Sequence, residues 1–313
     1  MANEIRYVRA GAAAGGNGTT NELTSGDGTH AYDTLANWQT AEAKDLTAAT
    51  GIEGLHTVRL QSEWEDPLGS LVLNNVAWVT DEDYYIQMEV PLANRHNARR
   101  DGSWMGYIDV RVPYTRLVGL AMSRSHLTSS TAWVEGIGTR FIDCISLATG
   151  GGMAYEIRPD TTGVVLQNCF GLAHNNRCVQ SSESAYVINS TLISLTEYAY
   201  RRSSGWAHNL WNCYLYGGDN STGITKHNCL DGTDAAFTTA NFVNVTSEEE
   251  DLNLVEGSGL RNQGSDQSAN SYWIGAAVDY RGTERPQDTA WDVGAHEFEV
   301  AAPTLFPRIL YGP

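Results

Sequence analysis

The chain has 313 residues, with 37 acidic against 20 basic side chains and a formal net charge of -17. That balance argues against a surface for duplex nucleic acid, which needs a basic footprint, and against docking on an anionic membrane. Charged residues make up only 18% of the chain while Gly alone numbers 31; this is the composition of a turn-rich β protein, long enough for one solenoid or two compact domains.

The opening, Met1 to Arg6, lacks a charged segment followed by an apolar core, and no apolar run is long enough to span a bilayer. No signal peptide is therefore expected. Ile5 to Arg9 reads as a strand. The Gly- and Thr-rich segment that follows, through Gly15-Gly16-Asn17-Gly18 to Asp27-Gly28, has no Gly-Lys-Ser/Thr and so is not a phosphate loop. It reads as a loosely packed arm. Residues 31–46 place Tyr32, Leu35, Trp38, Glu42 and Leu46 on one helical face. A solenoid needs a polar-faced cap over its terminal coil, and this helix is the expected one. Residues 1–50 thus form an arm and a capping helix.

Strands follow at Thr57 to Gln61, Leu71 to Leu73 and Tyr84 to Met88. The acidic turn Asp81-Glu82-Asp83 is the one place calcium could bind, but it lacks the spaced oxygen ligands and Gly of a defined loop. It reads as a solvated turn, and no cofactor is called for. Asn94 to Trp104 is the locally basic stretch, with Arg95, His96, Arg99 and Arg100. In a long connection it should protrude, either to meet a partner or an anionic sugar, or to neutralise nearby acids. Tyr107 to Val112 and Leu117 to Met122 continue the coils.

From Arg140 to Gly232 one pattern repeats: Ile142-Asp143-Cys144, Gln167-Asn168-Cys169, Ile188-Asn189-Ser190, Trp211-Asn212-Cys213 and His227-Asn228-Cys229. The polar position recurs at intervals of 25, 21, 23 and 16, which is the signature of stacked repeats. Small residues suit a tight corner, and Asn tolerates left-handed backbone there. Apolar alternation on either side predicts short parallel strands, and the object is an all-β parallel β-helix over residues 51–300. Amides stacked at strand spacing can bond to one another up the axis. Four of the five cysteines fall in this column, so free buried thiols are expected rather than disulfides, as in a reducing cytoplasm. No Cys-x-x-Cys pair is present, so no metal site is expected from the thiols. Beyond the ladder come strand candidates at Phe242 to Val245, Leu252 to Leu254 and Gly275 to Asp279. Trp291 to Phe298 follows, then a tail, 301–313, whose Pro303, Pro307 and Pro313 should end pairing.

Two segments resemble a known family. Arg281-Gly282-Thr283-Glu284-Arg285-Pro286 with Trp291-Asp292-Val293-Gly294-Ala295-His296-Glu297-Phe298 resembles the Asp-Ile-Gly-Ala-Tyr/His-Glu ending of pectate-lyase-like β-helix proteins. The opening from Tyr7 to Trp38 is similar to the start of β-helix proteins common in bacteriophage genomes. The resemblance implies a right-handed, single-stranded parallel β-helix. It also implies a phage structural protein, displayed as a spike or decoration on capsid or tail and made in the bacterial cytoplasm. Homotrimers, contacts with other virion proteins and a bound surface glycan are implied with it. The alternative on the same scaffold is a polysaccharide lyase or glycoside hydrolase.

Cleavage of a glycan on this fold needs acids clustered on one outer face. No column of acids occurs at equal offsets from the ladder. Asp143, Arg140 and Glu156 are the catalytic candidates, against the alternative that Asp143 and Arg140 form a structural salt bridge. Among the many aromatics of the regular region, Trp133, Trp206 and Tyr214 are candidates for stacking on sugars, against the alternative that they fill the core. Arg95 and His96 are the candidates for meeting an anion.

Overall fold

The computed structural model describes residues 2–47, 53–62, 68–98, 104–125, 129–203, 206–217, 219, 222–232, 239–246 and 249–299. Within them the chain winds as a right-handed parallel β-helix with three sheets of nine, seven and six strands. One coil shows the plan. Arg140–Ile142 lies in the first sheet, Ile145–Ala148 in the second and Tyr155–Ile157 in the third. Val164–Gln167 then starts the next coil, paired parallel to Arg140–Ile142.

The ladder column is the corner between the first and second sheets. Asp143, Asn168, Asn189, Asn212 and Asn228 all take left-handed backbone, with φ between 47 and 55°. Each of the first four donates its N–H to the coil above: Asp143 to Gln167 O, Asn168 to Ile188 O, Asn189 to Trp211 O and Asn212 to His227 O, at 2.9–3.0 Å. The amides therefore superpose, as the repeat predicts. Beside them, Cys144, Cys169, Ser190 and Cys213 turn inward. Cys169 Sγ and Cys213 Sγ each donate to a carbonyl one coil back, at 3.4 Å. All five cysteines are free thiols.

The interior is filled by in-register apolar residues such as Phe141, Leu166, Val187 and Leu210 of the first sheet. At the N-terminal end the expected helix forms over Leu35–Glu42, with Thr34 Oγ1 capping the Asn37 N–H at 3.1 Å. Leu35 and Trp38 enter the same core as Val8 and Val58, so the helix plugs the interior. The segment before it is not a loose arm. Ala2–Arg9 is the first strand of the first sheet and pairs along its whole length with Gly54–Gln61. The Gly-rich segment folds back on that strand through Tyr7 N–Gly18 O and Gly18 N–His30 O, both 2.9 Å. At Gly16 an added Cβ would lie 2.3 Å from Ala31 O, so close backbone contact, not flexibility, accounts for this glycine.

The coils end at Leu230–Asp231, and the C-terminal part does something the repeat did not predict. Phe242–Asn244 and Asp251–Leu254 pair antiparallel, and the strap they begin, through residue 299, folds back along the second sheet. The reason lies in the sheet itself. Ile145, Leu147, Phe170, Leu172, Ile193 and Tyr214 form a second buried core with Leu252, Leu260, Tyr280, Val293 and Ala295 of the strap. Burying each large apolar side chain is worth about 1.5–3 kcal/mol, so that outer face could not stay bare. Pairing in the helix thus stops well before the prolines of the tail, which lies outside the described residues.

Candidate functional site

Three outer faces are available on such a helix. The second sheet's is covered by the strap. The third sheet's carries Arg–carboxylate pairs, Arg111 with Asp109 at 2.7 Å and Arg158 with Glu156 at 2.8 Å. The first sheet's outer face carries two neighbouring depressions, and most of the candidate chemistry collects there.

The larger depression, about 390 Å³, lies between the first sheet and the strap. Gln87, Glu89, Gln167 and Asn168 line it from the helix, and residues 274–279 wall it from the strap. Gln167 clamps that wall by bonding both N–H and C=O of Ile274, at 2.9 and 2.8 Å. Asp143 sits at its edge. Its Oδ2 pairs with Arg95 Nη1 at 2.7 Å and its Oδ1 accepts Asn168 Nδ2 at 3.1 Å. The expected pair with Arg140 does not form: Arg140 lies at the start of its strand and lines the smaller depression, while Asp143 sits at the corner beyond the strand's end and is taken by Arg95. Burial raises the Asp143 carboxyl to about 6, against the opposing charge of Arg95. Arg95 reaches it by crossing Gly119, where an added Cβ would lie 2.5 Å from Arg95 Nε.

The described part of the basic stretch therefore packs inward rather than protruding. His96 is buried, its Nε2 meets Asp143 O at 2.8 Å, and its ring stacks on Tyr280 at 5.4 Å. It serves the join between strap and helix and is not open to a ligand. Arg99 and Arg100 lie outside the described residues. Tyr214 is likewise in the core, buried under the strap against Phe242, because its strand has two buried faces. Trp206 is 56% exposed on a turn. Trp133 lies on the third sheet beneath the Arg158 guanidinium, 4.3 Å from its ring centre. Glu156, on that same sheet, is held by Ser130 Oγ at 2.5 Å and by Arg158. Glu156 and Asp143 thus stand on different sides of the helix and form no acid pair.

The smaller depression, about 200 Å³, holds Arg116 and Arg140 with Tyr85, Tyr114 and Tyr272. Arg116 and Arg140 are in-register neighbours on adjacent strands. Arg116 donates to Tyr85 Oη at 2.6 Å and lies over that ring at 3.6 Å. Arg140 makes no ion pair and no side-chain hydrogen bond among the described residues. Burial lowers the proton affinity of both guanidinia, and at Arg116 the Arg140 charge adds to the effect. The sequence signal for this pair was present: Arg116 and Arg140 stand three residues before Gly119 and Asp143, corner residues of successive coils.

A metal at the N-terminal end fails on chemistry. Glu4, Glu42 and His56 approach one another closely enough to share an ion. Yet His56 Nε2 accepts the Trp38 indole N–H at 3.1 Å, so the ring carries its proton on Nδ1, the nitrogen facing Glu4 at 3.6 Å. Arg6 and Lys44 already neutralise the two acids. At the suggested calcium turn, Asp81 Oδ1 accepts the N–H groups of Asp83 and Tyr84, as in an ordinary solvated turn. The ending that carries the family resemblance is structural too. Arg285 is fully buried and bonds Glu297 Oε2 at 3.2 Å and the carbonyls of Asp292, Gly294 and Ala295.

No family model matches the chain, and no curated protein matches its sequence. Among solved structures it is similar to a crystal structure of pectate lyase Pel9A, at 11% identity and a TM-score of 0.41, over 94% of this chain and 96% of that one. The chain's own strand order and parallel registers make it a parallel β-helix. That likeness is one of winding and says nothing of this chain's chemistry.

Proposed function

We propose that the protein is a glycan-binding β-helix of a phage virion, a spike or decoration on capsid or tail, and that the glycan lies on the outer face of the first sheet. The observation that carries the binding part is the pair of adjacent depressions on that face, lined by amide side chains, tyrosines and an arginine without a side-chain partner among the described residues. The virion part rests on the similarity of the opening segment to phage β-helix proteins, and assembly with other virion proteins, as a homotrimer, goes with it. Co-purification with intact particles tests the setting: a protein absent from purified virions removes it. A glycan array tests the binding: no glycan retained at any salt concentration removes that half.

A second reading, a polysaccharide lyase or glycoside hydrolase, is favoured by one feature. Burial raises Asp143 to about 6, well above an ordinary carboxylate, at the edge of the larger depression. Reducing-sugar release or new ultraviolet absorbance from unsaturated products, lost in Asp143→Asn with unchanged thermal unfolding, would favour the enzyme over the binding protein.

A further inference from the structure

The smaller depression has the build of a site for one charged group. Arg116 and Arg140 are carried by backbone positions one strand spacing apart, about 4.8 Å, and both line the depression, so one anion there can meet both arginines. In a chain of net charge -17 an unpaired arginine has acids to choose from, yet Arg140 takes none among the described residues. Glu82 lines the same depression and its charge acts on both arginines, but it forms no ion pair with either among the described residues. Two like charges held side by side and half-buried repel each other, and an anion between them relieves that cost. Tyr85 already fixes Arg116 from one side, so the fork is preorganised.

The remaining walls limit what enters. Gly138 and Gly163, at φ 67 and 73° in successive coils, bring only backbone to one side. Tyr114 and Tyr272 line it as well, with Tyr272 contributed by the strap. A volume of about 200 Å³ is below the range of drug-sized pockets and suits one sugar unit.

We infer that Arg116 and Arg140 form a pocket for a single anionic sugar, carrying a carboxylate or a sulfate, at the end or on a branch of the glycan. The inference rests on the glycan-binding reading above and adds the charge and the size of the unit recognised. The pocket reads the anion through the Arg140 fork and the ring through the tyrosines, while neutral sugars of the same glycan lie across the larger depression.

The test uses the full chain and three ligands of one backbone. One ends in a carboxylate-bearing sugar, one in a sulfated sugar, and one in the same sugar with its carboxyl reduced to the alcohol. Titration by calorimetry is expected to give at least 10-fold weaker binding for the reduced ligand. The same loss is expected for Arg140→Met with either anionic ligand, with thermal unfolding unchanged, and affinity should fall as salt is raised. Arg140→Lys, which keeps the charge but not the fork, should recover only part of the loss. Equal binding of all three ligands, unaffected by Arg140→Met, overturns the anionic pocket and leaves glycan binding standing. No binding of any of the three, nor of any other glycan on an array, overturns both.

Discussion

Asn189 and Asn212 hold the same left-handed corner in successive coils, yet the corner asks different things of them. Asn212 Nδ2 donates to Ser265 O, and its Oδ1 accepts from Ser265 N at 3.0 Å and from Asn228 Nδ2 at 3.1 Å. The side chain of Asn189 is buried and has no partner among the described residues. At Asn189 the residue therefore supplies backbone tolerance, and at Asn212 it also ties strap to helix. Asn189→Ala is expected to lose about 1 kcal/mol, and Asn212→Ala about 2–4 kcal/mol, in denaturant unfolding. Equal losses would mean that the strap contacts of Asn212 contribute nothing. The column itself was legible from sequence, because left-handed corners admit so few residue types. The ion pair of Asp143 was not, since its partner lies 48 residues away and local order favoured Arg140.

At the scale of elements, the strap was the least legible part. Its strand-like stretches look like further coils, since both present short apolar runs. The informative signal lay elsewhere, in Phe170-Gly171-Leu172-Ala173, a strand buried along its whole length and so in need of cover on both faces. Tyr280 is the centre of that cover. It packs edge-on to Phe170 at 4.9 Å, stacks on His96 and donates to Asn253 Oδ1 at 2.5 Å. Tyr280→Ala should lose about 3–5 kcal/mol. Hydrogen exchange says where. The amides of Leu252 and Val293, bonded to Ala98 O and Leu260 O, should exchange faster in the variant, while those of Val165 and Ile145 keep their protection. Loss of protection at all four together would make strap and helix one cooperative unit and reject a separable strap.

For the whole molecule, the pH dependence of stability follows from three buried histidines that each accept a hydrogen bond or share one with a hydroxyl. His56 Nε2 takes the Trp38 N–H, His296 Nδ1 takes the Leu254 N–H at 3.0 Å, and His208 Nδ1 meets Tyr200 Oη at 2.9 Å. Burial lowers His56 and His208 to about 4 and His296 to about 3. The unfolded chain protonates these rings near pH 6.5 and the folded chain does not. Their contribution is thus complete above pH 6.5 and is lost as pH falls toward 4. Asp143 has the opposite sign: the folded chain takes its proton near pH 6, the unfolded chain only near 3.8, so acidification stabilises through it. Burial raises the carboxyls of Asp279, Asp292 and Glu297 as well, so they share the sign of Asp143 and offset part of the histidines' loss, which is at most about 4 kcal/mol per pH unit for three protons. With the histidine term the larger, the midpoint of thermal unfolding should drop from pH 6.5 to 5. In Asp143→Asn, where the opposing proton is gone, the drop should be steeper than in the parent. A parent midpoint flat across this range would mean that the raised carboxyls cancel the histidine term. An unchanged slope in the variant would place the Asp143 carboxyl in its ordinary range and remove the feature that favours catalysis.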